Sequence, residues 1–166
     1  LAAYEWMLAN GPTGTGRGRS TFVAGDSAGG GLALALLLSL RDSGKPAPNA
    51  AVTFSAWTDM AVQGKSVVTR ARRDPVITSG LGLEMAARSY LGGADPRTPR
   101  ASPAYADFTG LPPLYLNVGD DEVLLDDTLS VAARASSAGV PVTLHVEPGG
   151  FHVYPYFVPD APESTR

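Results

Sequence analysis

The sequence contains no cysteine, which excludes a disulfide framework, a thiol nucleophile and a thiolate metal site. Charge is sparse as well. Charged residues make up 17% of the 166 residues and the net charge is −3, so there is no basic stripe to engage nucleic acid or an anionic membrane surface. The short cluster Arg70, Arg72 and Arg73 reads as solvated surface. The longest apolar run, residues 31–40, falls well below the roughly 20 residues that cross a bilayer, so no stable membrane insertion is expected. No H-E-x-x-H pattern or zinc-ligand spacing occurs. The acidic stretch at 120–127 lacks the alternating ligands and the glycine of a calcium loop, so neither metal nor cofactor is expected. Histidine is scarce too: with two in the chain, any mechanism that needs an imidazole has two candidates.

What is present is an ordinary globular composition, 44% hydrophobic, sufficient for one domain with a buried core. The chain starts at Leu1 without a signal peptide and stops at residues 162–166 without a closing helix or strand. It is therefore expected to be part of a longer, cytoplasmic protein. Residues 1–10 read as the end of an amphipathic helix, halted by Gly11-Pro12. The Gly-rich loop at 11–19 resembles a phosphate loop, but it follows a helix and lacks the Lys-Ser/Thr ending, so it is read as a turn. Strands are expected at 21–25, 51–56, 114–118 and 142–147, with helices after residue 27 and over 126–138, the second closed by Gly139. Between them, residues 63–113 form an irregular, helix-containing inserted region with a helix near 79–91. Strands alternating with helices of this length predict an α/β fold, a mostly parallel sheet with helices on both faces.

Gly25-Asp26-Ser27-Ala28-Gly29 fits G-x-S-x-G. The pattern alone is weak in a chain with 19 glycines; its position between a predicted strand and a predicted helix gives it weight. That context places Ser27 in a strained turn, relieved by glycines at 25 and 29, with the Ala28 amide aimed at an oxyanion. A serine hydroxyl needs a base. His145 lies within a strand and reads as a strand-surface residue. His152 lies in a loop past the C-terminal end of that strand, where the ligands of parallel sheets gather. The carboxylate that would orient it must come from another loop of the same edge. Asp120, Asp121 and Glu122 follow the strand ending at Val118, whereas Asp126 and Asp127 suit the cap and first turn of the next helix. Asp120 and Asp121 fall early in the turn, where side chains tend to bond backbone amides.

GDSAGGGLALAL, SAWTDM, LGGADPR…ASPAYADFTGLPPLYLNVGDDEVLLDD and AGVPVTLHVEPGGFHVY, in that order, together resemble the hormone-sensitive-lipase-like branch of bacterial esterases. The resemblance implies that residues 1–166 are the C-terminal portion of an α/β-hydrolase domain, lacking N-terminal strands, the final helix and an upstream His-Gly-Gly oxyanion loop. It implies a serine carboxylesterase acting on short-chain or small aromatic acyl esters through an acyl-enzyme, with the isolated fragment expected to be inactive. A gap-free count from Pro113 places Glu122 where the family carries its acid. The resemblance also sets Asp26 and Trp57 beside the substrate. The expected partner is a small ester, with a homodimer as the assembly considered. A non-catalytic module on this fold, or an acyltransferase or amidase with the same three residues, stands as the alternative.

Overall fold

The computed structural model describes residues 1–11, 14–15 and 20–157. The expected chain end at 162–166 and most of the loop at 11–19 lie outside these residues. Helix α1 (Ala2–Ala9) leads into a two-residue antiparallel ribbon, β1 (Asn10–Gly11) with β2 (Gly14–Thr15). The core follows as β3 (Phe22–Asp26), α2 (Ser27–Asp42) and β4 (Ala50–Phe54). A long crossover carries α3 (Ser66–Thr69), α4 (Gly80–Leu91) and a 3-10 turn at Pro103–Tyr105. It delivers the chain to β5 (Leu114–Gly119), α5 (Leu125–Ser137), β6 (Val142–Glu147) and a last 3-10 turn at Tyr154–Tyr156.

The four strands β3 to β6 pair in sequence order, each parallel to the next. Their C-terminal ends therefore share one edge, and the loops after β3, β4, β5 and β6 converge there. Period-two alternation sets what each strand buries. On β5, Leu114, Leu116 and Val118 are buried while Tyr115 between them is exposed. The buried side meets Leu34, Leu37 and Leu38 of α2 and Val131, Ala132 and Ala135 of α5 in one cluster with Phe108 and Leu111 of the crossover. Helices are expected on both faces; the described helices α2 and α5 share one. The opposite face leaves Phe22 63% and Tyr115 39% exposed.

One local expectation changes. The amphipathic stripe of α1 is not buried as such: Tyr4 is its one buried residue, and Trp6 and Met7 face solvent. The irregular region at 63–113 carries α3, α4 and a 3-10 turn. Leu83 and Ala87 of α4 pack with Trp57, Val123 and Leu124 in a second cluster beneath the loop edge, so this crossover is part of the wall that supports the site.

Candidate active site

At the end of β3 the chain passes directly into α2, and Ser27, its first residue, adopts φ +50°. This left-handed conformation disfavours L-residues by about 1–2 kcal/mol. The turn is possible because Gly25 has no side chain: a Cβ there would lie 2.2 Å from the carbonyl oxygen of Gly29. The matching requirement expected at Gly29 is absent, since a Cβ at that position would find nothing nearer than Asp26 Oδ1 at 4.0 Å. Ala28 sits in the first turn of α2, where backbone amides have no intrahelical acceptor and are free to face an anion.

His152 follows β6 and is buried. Its Nε2 lies 3.0 Å from Ser27 Oγ. Its Nδ1 lies 3.3 Å from Glu122 Oε2, and Glu122 is wholly buried, with its other oxygen accepting the Gly119 amide at 3.3 Å. A carboxylate accepts and does not donate, so this contact fixes the proton on Nδ1 and leaves Nε2 as the acceptor for the serine hydroxyl.

The neighbouring acids go elsewhere. Asp120 Oδ1 accepts the Gly149 amide at 2.7 Å, as a turn residue does. Asp121 departs from that expectation: its carboxylate leaves the backbone and pairs with Arg73 at 2.8 Å on the surface. That contact also means Arg73 is not merely solvated, and Asp121 in turn holds its guanidinium above the usual arginine range. The acid and base loops are zipped by their backbones, Asp120 N–H to Glu147 O and Asp121 N–H to Gly150 O, both 3.0 Å. Gly119 makes this approach possible, because a Cβ there would meet Gly150 O at 2.1 Å.

His145 stays on the strand, where its Nε2 lies 2.8 Å from Glu147 Oε2. Asp26 precedes α2 without capping it, and its Oδ1 lies 3.5 Å from the Tyr156 hydroxyl. Trp57 is buried, its indole N–H donating to Asp59 O at 3.0 Å and its backbone N–H to Ser27 O at 2.8 Å. It lines a mainly apolar cavity of about 330 Å³ with Ala28, Gly29, Leu32, Met60 and Tyr90, directly beside the serine turn.

Several supporting residues escape sequence reasoning. Asp127 occupies the first turn of α5 as expected, yet it caps nothing there; one oxygen accepts the amides of Thr58 (2.7 Å) and Asp59 (2.8 Å). Burial pushes its carboxyl up to about 7 against the pull of those amides. Asp126 likewise reaches across to the Ser66 amide at 3.0 Å. Asp74 accepts the Val123 amide at 3.2 Å, steadying the residue after Glu122. Its bond to Val76 N–H, two residues on at 2.9 Å, is the Asx-turn signal that Asp74-Pro75 offered in the sequence. Buried Asn117 donates to the Tyr154 hydroxyl at 3.0 Å behind the base loop.

Among the described residues, no three of His, Cys, Asp and Glu come together as metal ligands, and no helix is long and apolar enough to cross a membrane.

A strained serine at a strand–helix turn, with a buried carboxylate and histidine on later loops of the same parallel-sheet edge, defines the architecture of the α/β-hydrolases. Comparison with known proteins agrees. The family model described as alpha/beta hydrolase fold matches residues 1–156. An acetyl-hydrolase of Streptomyces hygroscopicus is 47% identical over 166 residues, 100% of this chain and 54% of that protein. An esterase of Acinetobacter venetianus is 30% identical over 149 residues, 89% of this chain and 49% of that protein. A solved esterase from the bacterial hormone-sensitive lipase family superposes with a TM-score of 0.90 at 44% identity, covering 98% of this chain and 53% of that one. The chain thus spans about half the length of the relatives it matches. It belongs to the α/β-hydrolase family, in the hormone-sensitive-lipase-like branch.

Proposed function

We propose that the protein carrying this chain is a serine carboxylic ester hydrolase that works through an acyl-enzyme. The observation that carries this reading is the chain of contacts from Ser27 Oγ to His152 Nε2 (3.0 Å) and from His152 Nδ1 to Glu122 Oε2 (3.3 Å). In the proposed cycle Ser27 Oγ attacks the ester carbonyl while Nε2 takes its proton. Glu122 keeps the imidazole in the tautomer that makes this possible and stabilises the imidazolium that forms. The Ala28 amide donates to the developing oxyanion. Nε2 returns the proton to the leaving alcohol, and the same steps with water release the acid and restore Ser27.

The cavity beside Ala28 and Trp57 supports the substrate class. At about 330 Å³ and mostly apolar, it suits short aliphatic or small aromatic acyl groups. The acetyl-hydrolase and esterase names of the relatives point the same way.

The test is made in the full-length protein. A fluorophosphonate probe should label Ser27, and Ser27→Ala should abolish both labelling and p-nitrophenyl acetate turnover. Glu122→Gln should lower kcat by about 10⁴ rather than to nothing, because serine, base and oxyanion donors remain. Asp121→Asn should change kcat little. Labelling that persists in Ser27→Ala, or a larger loss in Asp121→Asn than in Glu122→Gln, would overturn the assignment.

A further inference from the structure

We infer that Ser55 is a positioning residue for His152, and that the short turn Ser55–Trp57 sets the reacting distance from both sides. The inference rests on the assignment of Ser27 and His152 above.

Ser55 directly follows β4, the strand between the one that delivers Ser27 and the one that delivers Glu122. It is fully buried and adopts φ +49°, where a non-glycine residue is uncommon. Its own N–H donates to Asn117 O at 2.8 Å, fastening it to β5. Its Oγ accepts the Val153 N–H at 2.9 Å, and Val153 is the residue after His152. Val153 itself holds φ +48°, which is a genuine outlier for a β-branched side chain. Two residues in a disfavoured conformation are thus bonded to each other next to the base. Such conformations persist only where the surroundings over-determine them, and here the Ser55 hydroxyl is the constraint that meets the base loop.

Two residues further on, the Trp57 N–H donates to Ser27 O at 2.8 Å. The carboxylate of Asp127 secures the amides of Thr58 and Asp59 just beyond. One turn therefore grips the backbone of the nucleophile with an amide and the backbone of the base with a hydroxyl. The 3.0 Å separation of Ser27 Oγ and His152 Nε2 is the gap between those two grips. Without the Ser55 hydroxyl, the loop bearing His152 loses its tie to β4 while the nucleophile stays fixed. A small displacement between reacting groups costs up to about 100-fold in rate.

The experiment compares Ser55→Ala and Ser55→Gly in the full-length protein. Both delete the acceptor, but glycine tolerates the left-handed backbone and alanine does not, so the two differ in stability and share the lost contact. Both variants should lose roughly 10- to 100-fold in kcat, and similarly in the rate of fluorophosphonate labelling of Ser27. KM should stay within about threefold, because neither variant touches the acyl cavity. The Gly variant should melt above the Ala variant. The inference is overturned if both keep kcat within about twofold of the parent, or if activity follows melting temperature so that Ser55→Gly is restored. Turnover that survives Ser27→Ala would overturn the underlying site assignment; normal labelling of Ser27 with unaffected Ser55 variants would remove only the role of Ser55.

Discussion

Asp127 lies in the first turn of α5, where a carboxylate ordinarily serves its own helix, yet both its backbone contacts go to the loop after β4. Buried there, with Asp59 close by, it holds its proton up to about pH 7. The unfolded chain releases that proton near pH 3.9. Between these values the folded state binds more protons than the unfolded one, so this residue makes stability fall as pH rises through the window, with no further change above it. Asp127→Asn keeps an oxygen for both amides and has no proton to lose. Its melting temperature, followed from pH 4 to 8, should lack the decline that the parent shows; parallel profiles would refute the assignment. The same residue shows where sequence reading stops. That Ser27 and His152 meet was legible because the proposed chemistry demands those residue types at strand ends, and Glu122, which meets them, was singled out among the neighbouring acids by the family resemblance. Ser55 and Asp127 act through backbone amides, and any residue supplies those, so no motif announces the partner.

Elements were legible wherever one periodicity prevailed. β6 is Val142–Glu147 and α5 is Leu125–Ser137, within a residue of what alternation and the Gly139 stop predict. The crossover between β4 and β5 was the opaque part. Its cohesion comes from α4 packing on Trp57, Val123 and Leu124, contacts between segments far apart in the chain. Elements also meet through places where nothing protrudes, and Gly119 is one such place. Gly119→Ala would put a methyl 2.1 Å from Gly150 O, a backbone atom that yields only if the acid and base loops separate. That variant should fold with a lower melting temperature and lose at least about 100-fold in kcat, whereas alanine at Gly29, where the space is open, should be far milder. Equal effects at the two glycines would show that the loop contact does not govern the site.

At the scale of the molecule, the apolar cover supplied by the described residues is one-sided. α2 and α5 share a face of the sheet, and the other shows Phe22 and Tyr115 to solvent. Composition could not reveal this, because it counts apolar residues without assigning them to a face. The 166-residue chain produced alone should therefore bind an environment-sensitive dye such as ANS while native by far-ultraviolet circular dichroism, as exposed apolar patches do. Phe22→Glu should reduce the signal. An absence of dye binding would mean that the face is covered.

The order of the strands has a further consequence, for the timing of folding. Ser27 and His152 are 125 residues apart, and the sheet joins them only through β4 and β5. Helices α2 and α5 are local and form early, while every parallel pairing must first close a long loop. In the full-length protein, recovered helicity should then precede recovered turnover after dilution from denaturant, with turnover returning only once the longest connection, the crossover between β4 and β5, has closed. On the proposed function, turnover becomes a clock for completion of the sheet, not a measure of how much of the chain is ordered.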